Sequence, residues 1–361
     1  MNRSASILSQ TISLPSEKGE KTLWHRFPET KYMGSKRALL PFILRHTLSL
    51  NPTRLLDAFA GSGCVGYAFK DHGVEVHSND FLRFSYHTCR ATVENNGTVL
   101  TGDDVTRLLK PNKKAGRFIQ KTFKNLYFED SDNKFLENLW ANIEELRSPL
   151  KRSLALAAAC RAAMKKRPRG IFTFTGKKGW DGRRDLKVSM QEQFTDAVNL
   201  FNRAVFTNGK KNRAICGNVF DVEPHGYDVV YIDTPYISPY SDCDYTRRYH
   251  FVEGYSTYWK DAEILQNTTT KKLRSYDTDF STKARAVDAF SRLFHHFRRS
   301  KLVVSYSSSG IPSRSQMCEL LHEVKLTVKV FEVDHRYSHG NQNHKVGDNN
   351  NTVKEYLFIA V

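Results

Sequence analysis

The sequence predicts an α/β fold: a mostly parallel, Rossmann-like sheet with a mainly helical lobe inserted into it. Three observations carry this. Short apolar runs at residues 54–59, 74–77 and 227–232, and around Ala214, read as buried strands, and helical patterns separate them. From about residue 105 to 210 the strand signals stop and helical periodicity takes over. The length, 361 residues, exceeds a single ~150-residue domain and fits one large fold carrying an insertion.

Taken in order, residues 1–28 are polar and non-periodic and read as a flexible leader. Residues 37–50 form a helical pattern with Leu39, Leu40, Ile43, Leu44 and Leu48 on one face. The strand at 54–59 runs into a turn with Gly61, Gly63 and Gly66, and a helix over 65–70 is closed by Gly73. A second strand, 74–77, ends near Asp80. In the lobe, Leu136, Trp140, Ile143 and Leu146 mark one helix and residues 154–164 another, leading into a stretch dense in Lys and Arg. After the strands near Ala214 and at 227–232, further strands are expected at 301–306, 326–333 and 355–361. The expected organisation is a core over 29–104 and 211–361, interrupted by the lobe at 105–210.

Composition excludes several classes. Hydrophobic residues make up 40% of the chain and aromatics 12%, enough for a core, so wholesale disorder is ruled out. No apolar run approaches the ~18 residues of a bilayer span, and the N-terminus lacks the apolar stretch of a secretion signal. Cys64, Cys89, Cys160, Cys216, Cys243 and Cys318 are scattered without a C-x-x-C pair, which argues for reduced thiols in a cytoplasm and against a disulfide framework or zinc knuckle. The 55 basic residues against 38 acidic give a net charge of +17, which favours a polyanionic partner, nucleic acid foremost.

The glycines spell G-x-G-x-x-G between a strand and a helix, with Asp80 near the distance at which such folds hold a ribose. A side chain there would block close approach of a nucleotide. The turn alone suits either a dinucleotide such as NAD or S-adenosylmethionine. Asp57, ending the first strand, could face the amino group of a methionine moiety, or simply cap the loop. A pyrophosphate beside that carboxylate would be unfavourable, which leans towards S-adenosylmethionine.

The strongest signal is Asp233, Thr234, Pro235 and Tyr236, directly after the apolar strand. Ligands of open α/β sheets bind at the C-terminal ends of strands. A carboxylate, a proline-fixed turn and an aromatic ring at that edge suit the capture of a planar base by its exocyclic amine. That amine is a poor nucleophile because its lone pair is delocalised into the ring. Hydrogen bonds to Asp233 and to the Thr234 carbonyl would aim the lone pair at an electrophile, with Tyr236 stacked on the base.

Three segments then agree in order and spacing: residues 31–36 (Lys, Tyr, Met, Gly, Ser, Lys), residues 57–63 (Asp, Ala, Phe, Ala, Gly, Ser, Gly) and residues 233–236. The set resembles the amino-methylating DNA methyltransferases, specifically the adenine-N6 branch with its N-terminal cofactor motif first and its Asp-Pro-Pro-Tyr motif last. The resemblance covers roughly residues 30–361 and implies a class I S-adenosylmethionine-dependent fold with an inserted target-recognition lobe. It implies cofactor contacts from Tyr32, Lys36, Asp57, Phe59, Gly61, Ser62, Gly63, Asp80 and Asp233, and from Asn218 or Asp221. It implies catalysis by Asp233, Pro235 and Tyr236. Thr234 departs from the family's first proline, a place whose side chain is not expected to do chemistry. Cytosine-C5 methylation is disfavoured because it needs a cysteine nucleophile, and no Pro-Cys pair occurs.

Acting on a base amine requires the base to be flipped from the duplex, hence backbone clamps and a pocket. Arg161, Lys165, Lys166, Arg167, Arg169, Lys177, Lys178, Arg183 and Arg184, interleaved with Phe172, Phe174 and Trp180, are the expected DNA-binding cluster. Residues 240–250 are expected to form a lid, with Arg247 and Arg248 on phosphates. His335, His339 and His344 lack supporting Cys or Asp and read as loop or phosphate contacts, not a metal site. The expected partner is double-stranded DNA, with a cognate restriction endonuclease as functional counterpart. RNA adenine or cytosine-N4 methylation, an NAD-linked dehydrogenase and an inactive DNA-binding protein are the alternatives.

Overall fold

The protein is described from a computed structural model covering residues 9–11, 23–176, 182–236, 244–260, 262–280, 282–336 and 352–361. Among these residues the strands are β1 (Ser9–Thr11), β2 (Arg54–Asp57), β3 (Glu75–Asp80), β4 (Arg213–Cys216), β5 (Val229–Ile232), β6 (Lys301–Ser307), β7 (Val328–Arg336) and β8 (Thr352–Ala360). They form one sheet in the order β1-β7-β8-β6-β5-β2-β3-β4. All neighbours are parallel except β8, which runs antiparallel to both β6 and β7.

The central strands are apolar on both faces, as parallel strands covered on both sides must be. Val229 and Tyr231 join one core layer with Leu55, Val76 and Val303, beneath α1 (Leu40–Leu48) and α2 (Cys64–Asp71). Val230 and Ile232 join the other with Leu56, Leu302 and Val304. The chain order reverses between β2 and β5: from β2 the chain winds outward to β3 and β4, from β5 outward to β6. Connections leaving this pair diverge, which opens a crevice at their C-terminal ends.

Between β3 and β4 lie α3 (Arg83–Cys89), α4 (Gly102–Leu108), α5 (Phe118–Thr122), α6 (Asp130–Glu144), α7 (Pro149–Lys165), α8 (Arg184–Lys187) and α9 (Met190–Ala204). α7 is buried nearly all round from Ser153 to Met164 and packs against α3, α6 and α9, so its apolar residues form the centre of a helical core. The later helices are α10 (Tyr245–Thr257), α11 (Lys283–His296) and α12 (Arg314–His322).

Two expectations change. The polar N-terminal segment contributes to the fold: β1 pairs with β7, Trp24 and Phe27 are buried, and the Leu23 and Trp24 amides donate to Asp71. The helix expected over 37–50 begins as a 3-10 turn, Lys36–Leu39, before α1. Pro41 sits in the first turn of α1, where its missing N–H costs nothing.

Candidate active site

The crevice at β2 and β5 holds a cavity of about 510 Å³. Asp57, Phe59, Gly61, Ser62 and Asp80 form one wall of it. Gly63 does not line it; at φ +81°, it is the left-handed cap that starts α2. Gly66 is needed for a different reason, since a Cβ there would sit 2.5 Å from Ser78 Oγ. That close approach lets the Gly66 N–H donate to Asp57 Oδ2 at 3.1 Å. The Gly61 N–H donates to Asp80 Oδ2 at 2.7 Å and the Leu82 N–H to Oδ1 at 2.9 Å. The backbone therefore aims both strand-end carboxylates.

The N-terminal motif supplies the roof. The Tyr32 ring stacks on Tyr249 at 5.1 Å between centroids and on Tyr245 at 5.6 Å, so α10 carries the aromatic surface that holds this cavity residue. Lys36, 4% exposed, reaches across to the catalytic turn, where its Nζ lies 2.9 Å from Asp233 Oδ1 and 4.6 Å from the Tyr236 ring centre. Asp233, Pro235 and Tyr236 line the same cavity. The Tyr236 hydroxyl donates to Glu355 Oε2 at 3.0 Å, and its ring meets Tyr306 edge-on. Thr234 is 3% exposed and its hydroxyl has no partner among the described residues.

Charge in the cavity is weighted towards acid. Burial, helped by the nearby charges of Asp233 and Asp80 and opposed by the Gly66 amide, pushes Asp57 up to about 8. Burial also pushes Asp80 up to about 6, against the pull of its amide donors. For Asp233, burial outweighs the lowering effect of Lys36 and the shift is upward. Burial pulls Lys36 down, but Asp233 and Glu355 overcome it and the net shift is up. Asp57 Oδ1 is buried without a hydrogen-bond partner among the described residues. A buried carboxylate in that state suits a ligand bringing a positive charge.

A stability test follows. Asp57 is disfavoured as a carboxylate in the folded, ligand-free protein, so its contribution is fully present below the usual carboxylate range and is lost as pH rises towards 8. Asp57→Asn is therefore expected to raise the melting temperature relative to the parent, by a margin that grows from pH 5 to pH 8. The same change should weaken binding of a cationic ligand at least tenfold. A margin flat with pH would refute this account.

Of Asn218 and Asp221, Asn218 lines the cavity; Asp221 is exposed on a 3-10 turn and does not. Sequence reasoning placed Tyr245 only within the expected lid, without a role of its own, and missed the rim formed by Tyr276, Asp277, Thr278, Asp279 and Phe280. Phe280 sits edge-on to Phe59 at 5.2 Å and gives the cavity an apolar end. Arg285 also reaches the cavity, paired with Asp277. Only the spacing of aromatic residues on α10 could have signalled Tyr245 and Tyr249.

The basic cluster needs correction. Arg167 is 0% exposed, and its guanidinium donates to the carbonyls of Tyr127, Phe174 and Gly176. Lys166 is buried against Asp132 at 2.6 Å, and buried Arg161 donates to the Glu29 carbonyl. All three are turned to internal partners, and Arg167 has no exposed surface to offer a phosphate. Lys165 is half-buried and paired with Asp185 at 2.6 Å. Arg183, Arg184 and Arg247 are exposed, and Arg169 and Arg248 half-buried. Lys177, Lys178 and Trp180 lie outside the described residues, as do residues 240–243 of the expected lid. From Tyr245 that stretch is helix, with Tyr249 and His250 buried in the lobe. His335 lies on β7, while His339 and His344 fall outside the described residues. Among the described residues no cluster of His, Cys, Asp or Glu could hold a metal, and no helix is long and apolar enough to cross a membrane.

A sheet reversing at β2 and β5, a glycine turn and acidic strand ends facing one cavity define a class I methyltransferase fold. The chain belongs to the D12 class of N6 adenine-specific DNA methyltransferases, whose family model matches residues 32–319. It is a DNA adenine methyltransferase, and its family implies a methyl donor. Among curated proteins it is 28% identical over 352 residues to the Type II methyltransferase M2.HphI of Haemophilus parahaemolyticus, covering 93% of this chain and 98% of that one. It is 25% identical over 355 residues to the Type II methyltransferase M.NlaIII of Neisseria lactamica, covering 91% and 98%. It is 27% identical over 321 residues to the modification methylase StsI of Streptococcus sanguinis, covering 81% of this chain but 46% of that protein.

Proposed function

We propose that the methyl donor is S-adenosylmethionine, that the acceptor is N6 of an adenine flipped out of double-stranded DNA, and that the enzyme is the modification half of a restriction-modification system in the cytoplasm. The observation that carries this is that Asp233 and Asp57, whose Oδ1 has no hydrogen-bond partner among the described residues, line one cavity. Asp57 would take the ammonium group of the donor, Asp80 the ribose hydroxyls, and Phe59 and Phe280 the adenine. When bound, the donor supplies a methyl group on a sulfonium, an electrophile that needs no covalent enzyme intermediate.

The chain's own residues then do the positioning. Asp233 accepts an N–H of the target amine and draws its lone pair out of the ring. The carboxylate also stabilises the positive charge that N6 gains as the methyl arrives, and provides a path for the proton that leaves. Pro235 fixes the turn, and Tyr236 offers a flat surface to the base. Lys36 keeps a positive charge against Asp233, which favours the ionised form the step requires. A dinucleotide reading fares worse because Asp57, Asp80 and Asp233 would all face a diphosphate.

The DNA would be held by Arg183, Arg184 and Arg247, the exposed members of the expected set. Replacing all three by Ala should reduce the slope of log affinity against log salt by about two to three; an unchanged slope would remove them from the interface. The function itself is tested by incubating the protein with labelled S-adenosylmethionine and unmodified DNA, then digesting to nucleosides. Label in N6-methyladenine is expected. Label in N4-methylcytosine, or in RNA only, would replace this reading.

A further inference from the structure

We propose that Glu355, on β8, is a positioning residue for methyl transfer that holds the Tyr236 ring in its working orientation. The inference rests on the functional reading above and extends it to a residue beyond 32–319, the stretch matched by the family model.

Among the described residues β8 is the one strand that runs against the parallel sheet, so its first residues arrive at the edge where the parallel strands end. Glu355 pairs there with Ser307, the last residue of β6. Its side chain follows the alternation of Leu357 and Ile359, which face the apolar layer beneath α1 and α2. A carboxylate on that face, 1% exposed, is unfavourable unless its oxygens are used. Glu355 Oε2 is used in this way: it accepts the Tyr236 hydroxyl at 3.0 Å.

The contact closes a circuit of three distant segments. Lys36 pairs with Asp233 and sits over the Tyr236 ring, Tyr236 hydrogen-bonds Glu355, and the Glu355 charge in turn supports the Lys36 ammonium. Asp233 and Tyr236 share one turn, so an acceptor that fixes the phenol also fixes the plane on which a base would stack relative to the carboxylate that grips its amine. Tyr306 supports the ring edge-on, which restrains its position. The hydroxyl-to-carboxylate bond supplies a directional restraint at the far end.

A double-mutant cycle tests this on the full-length protein, with labelled S-adenosylmethionine and DNA. Tyr236→Phe and Glu355→Leu should each lower kcat about tenfold, leave the Kd for S-adenosylmethionine within twofold, and in combination cost no more than the worse single change. Glu355→Gln, which keeps an oxygen acceptor, should recover activity to within threefold of the parent. Losses that multiply in the double variant, or Glu355→Leu activity equal to the parent's, would overturn the proposal. Should Glu355→Leu fail to fold, Glu355→Asp takes its place in the cycle, since it withdraws the acceptor by one methylene. It should cost about tenfold alone and nothing in the Tyr236→Phe background; equal losses in both would count against the assignment. A readout independent of activity separates this from the functional reading: fluorine NMR of 3-fluorotyrosine at position 236. The resonance should move in Glu355→Leu, where the phenol has lost its carboxylate acceptor, and an unmoved line would overturn the proposal even in an active enzyme.

Discussion

Asp233→Asn is expected to lower kcat for adenine methylation about a thousandfold while the protein stays folded. The asparagine keeps the shape of the side chain and can still accept a hydrogen bond through its amide oxygen. It loses the negative charge that opposes the positive charge growing on the target amine, and charge-matched groups of this kind are worth ~10²–10³ in rate. The cavity wall that would hold the donor is made elsewhere, by Asp57, Phe59 and Asp80, so affinity for S-adenosylmethionine should change less than threefold. Single-turnover formation of N6-methyladenine and calorimetric titration of the donor measure the two quantities separately. Retention of more than a tenth of the parent rate would remove Asp233 from the reacting centre.

The second large effect is on stability. Arg167→Ala is expected to destabilise the fold by about 3–5 kcal/mol, measured by urea denaturation. The Arg167 side chain is fully buried between the Tyr127 and Phe174 rings, each 5.2 Å away, and bonds three carbonyls that would lose this donor. Those carbonyls belong to two segments, at 127 and at 174–176, which the arginine ties together. Exposed Arg183, changed to Ala, should shift stability by less than 0.5 kcal/mol. If Arg167→Ala were equally silent, its bonds would be incidental and the DNA-contact reading of the whole cluster would return.

The contrast between these two arginines marks what a sequence can carry. The sheet was legible because its central strands, such as Val229–Ile232, are apolar on both faces and end at turns whose residue types have one use. The glycine turn and the segment at Asp233 were legible because their chemistry is local: a carboxylate, a fixed turn and a ring lie within four positions. Burial of a charged side chain is not local. Whether Arg167 meets water or three carbonyls depends on how the chain folds back on it: Phe174 and Gly176 lie 7 and 9 positions on and Tyr127 lies 40 positions back, and residue type alone does not distinguish it from Arg183. The same holds for Glu355, whose partner Tyr236 is 119 positions distant. Tyr245 and Tyr249 were hidden for a related reason: helical spacing puts them on one face, but only the fold places Tyr32 against that face.

The antiparallel strand also sets a timetable. Neighbours in this sheet are far apart in the chain, as β2 and β5 are, and loop closure of that kind is slow compared with local helix formation. A ribosome emits Lys36 and Asp233 long before it emits Glu355, and β8 cannot slot between β6 and β7 until all three have emerged. A nascent chain with its helical lobe already packed would therefore still lack a settled catalytic edge. Methylation of DNA would lag behind synthesis by the time β8 takes to dock.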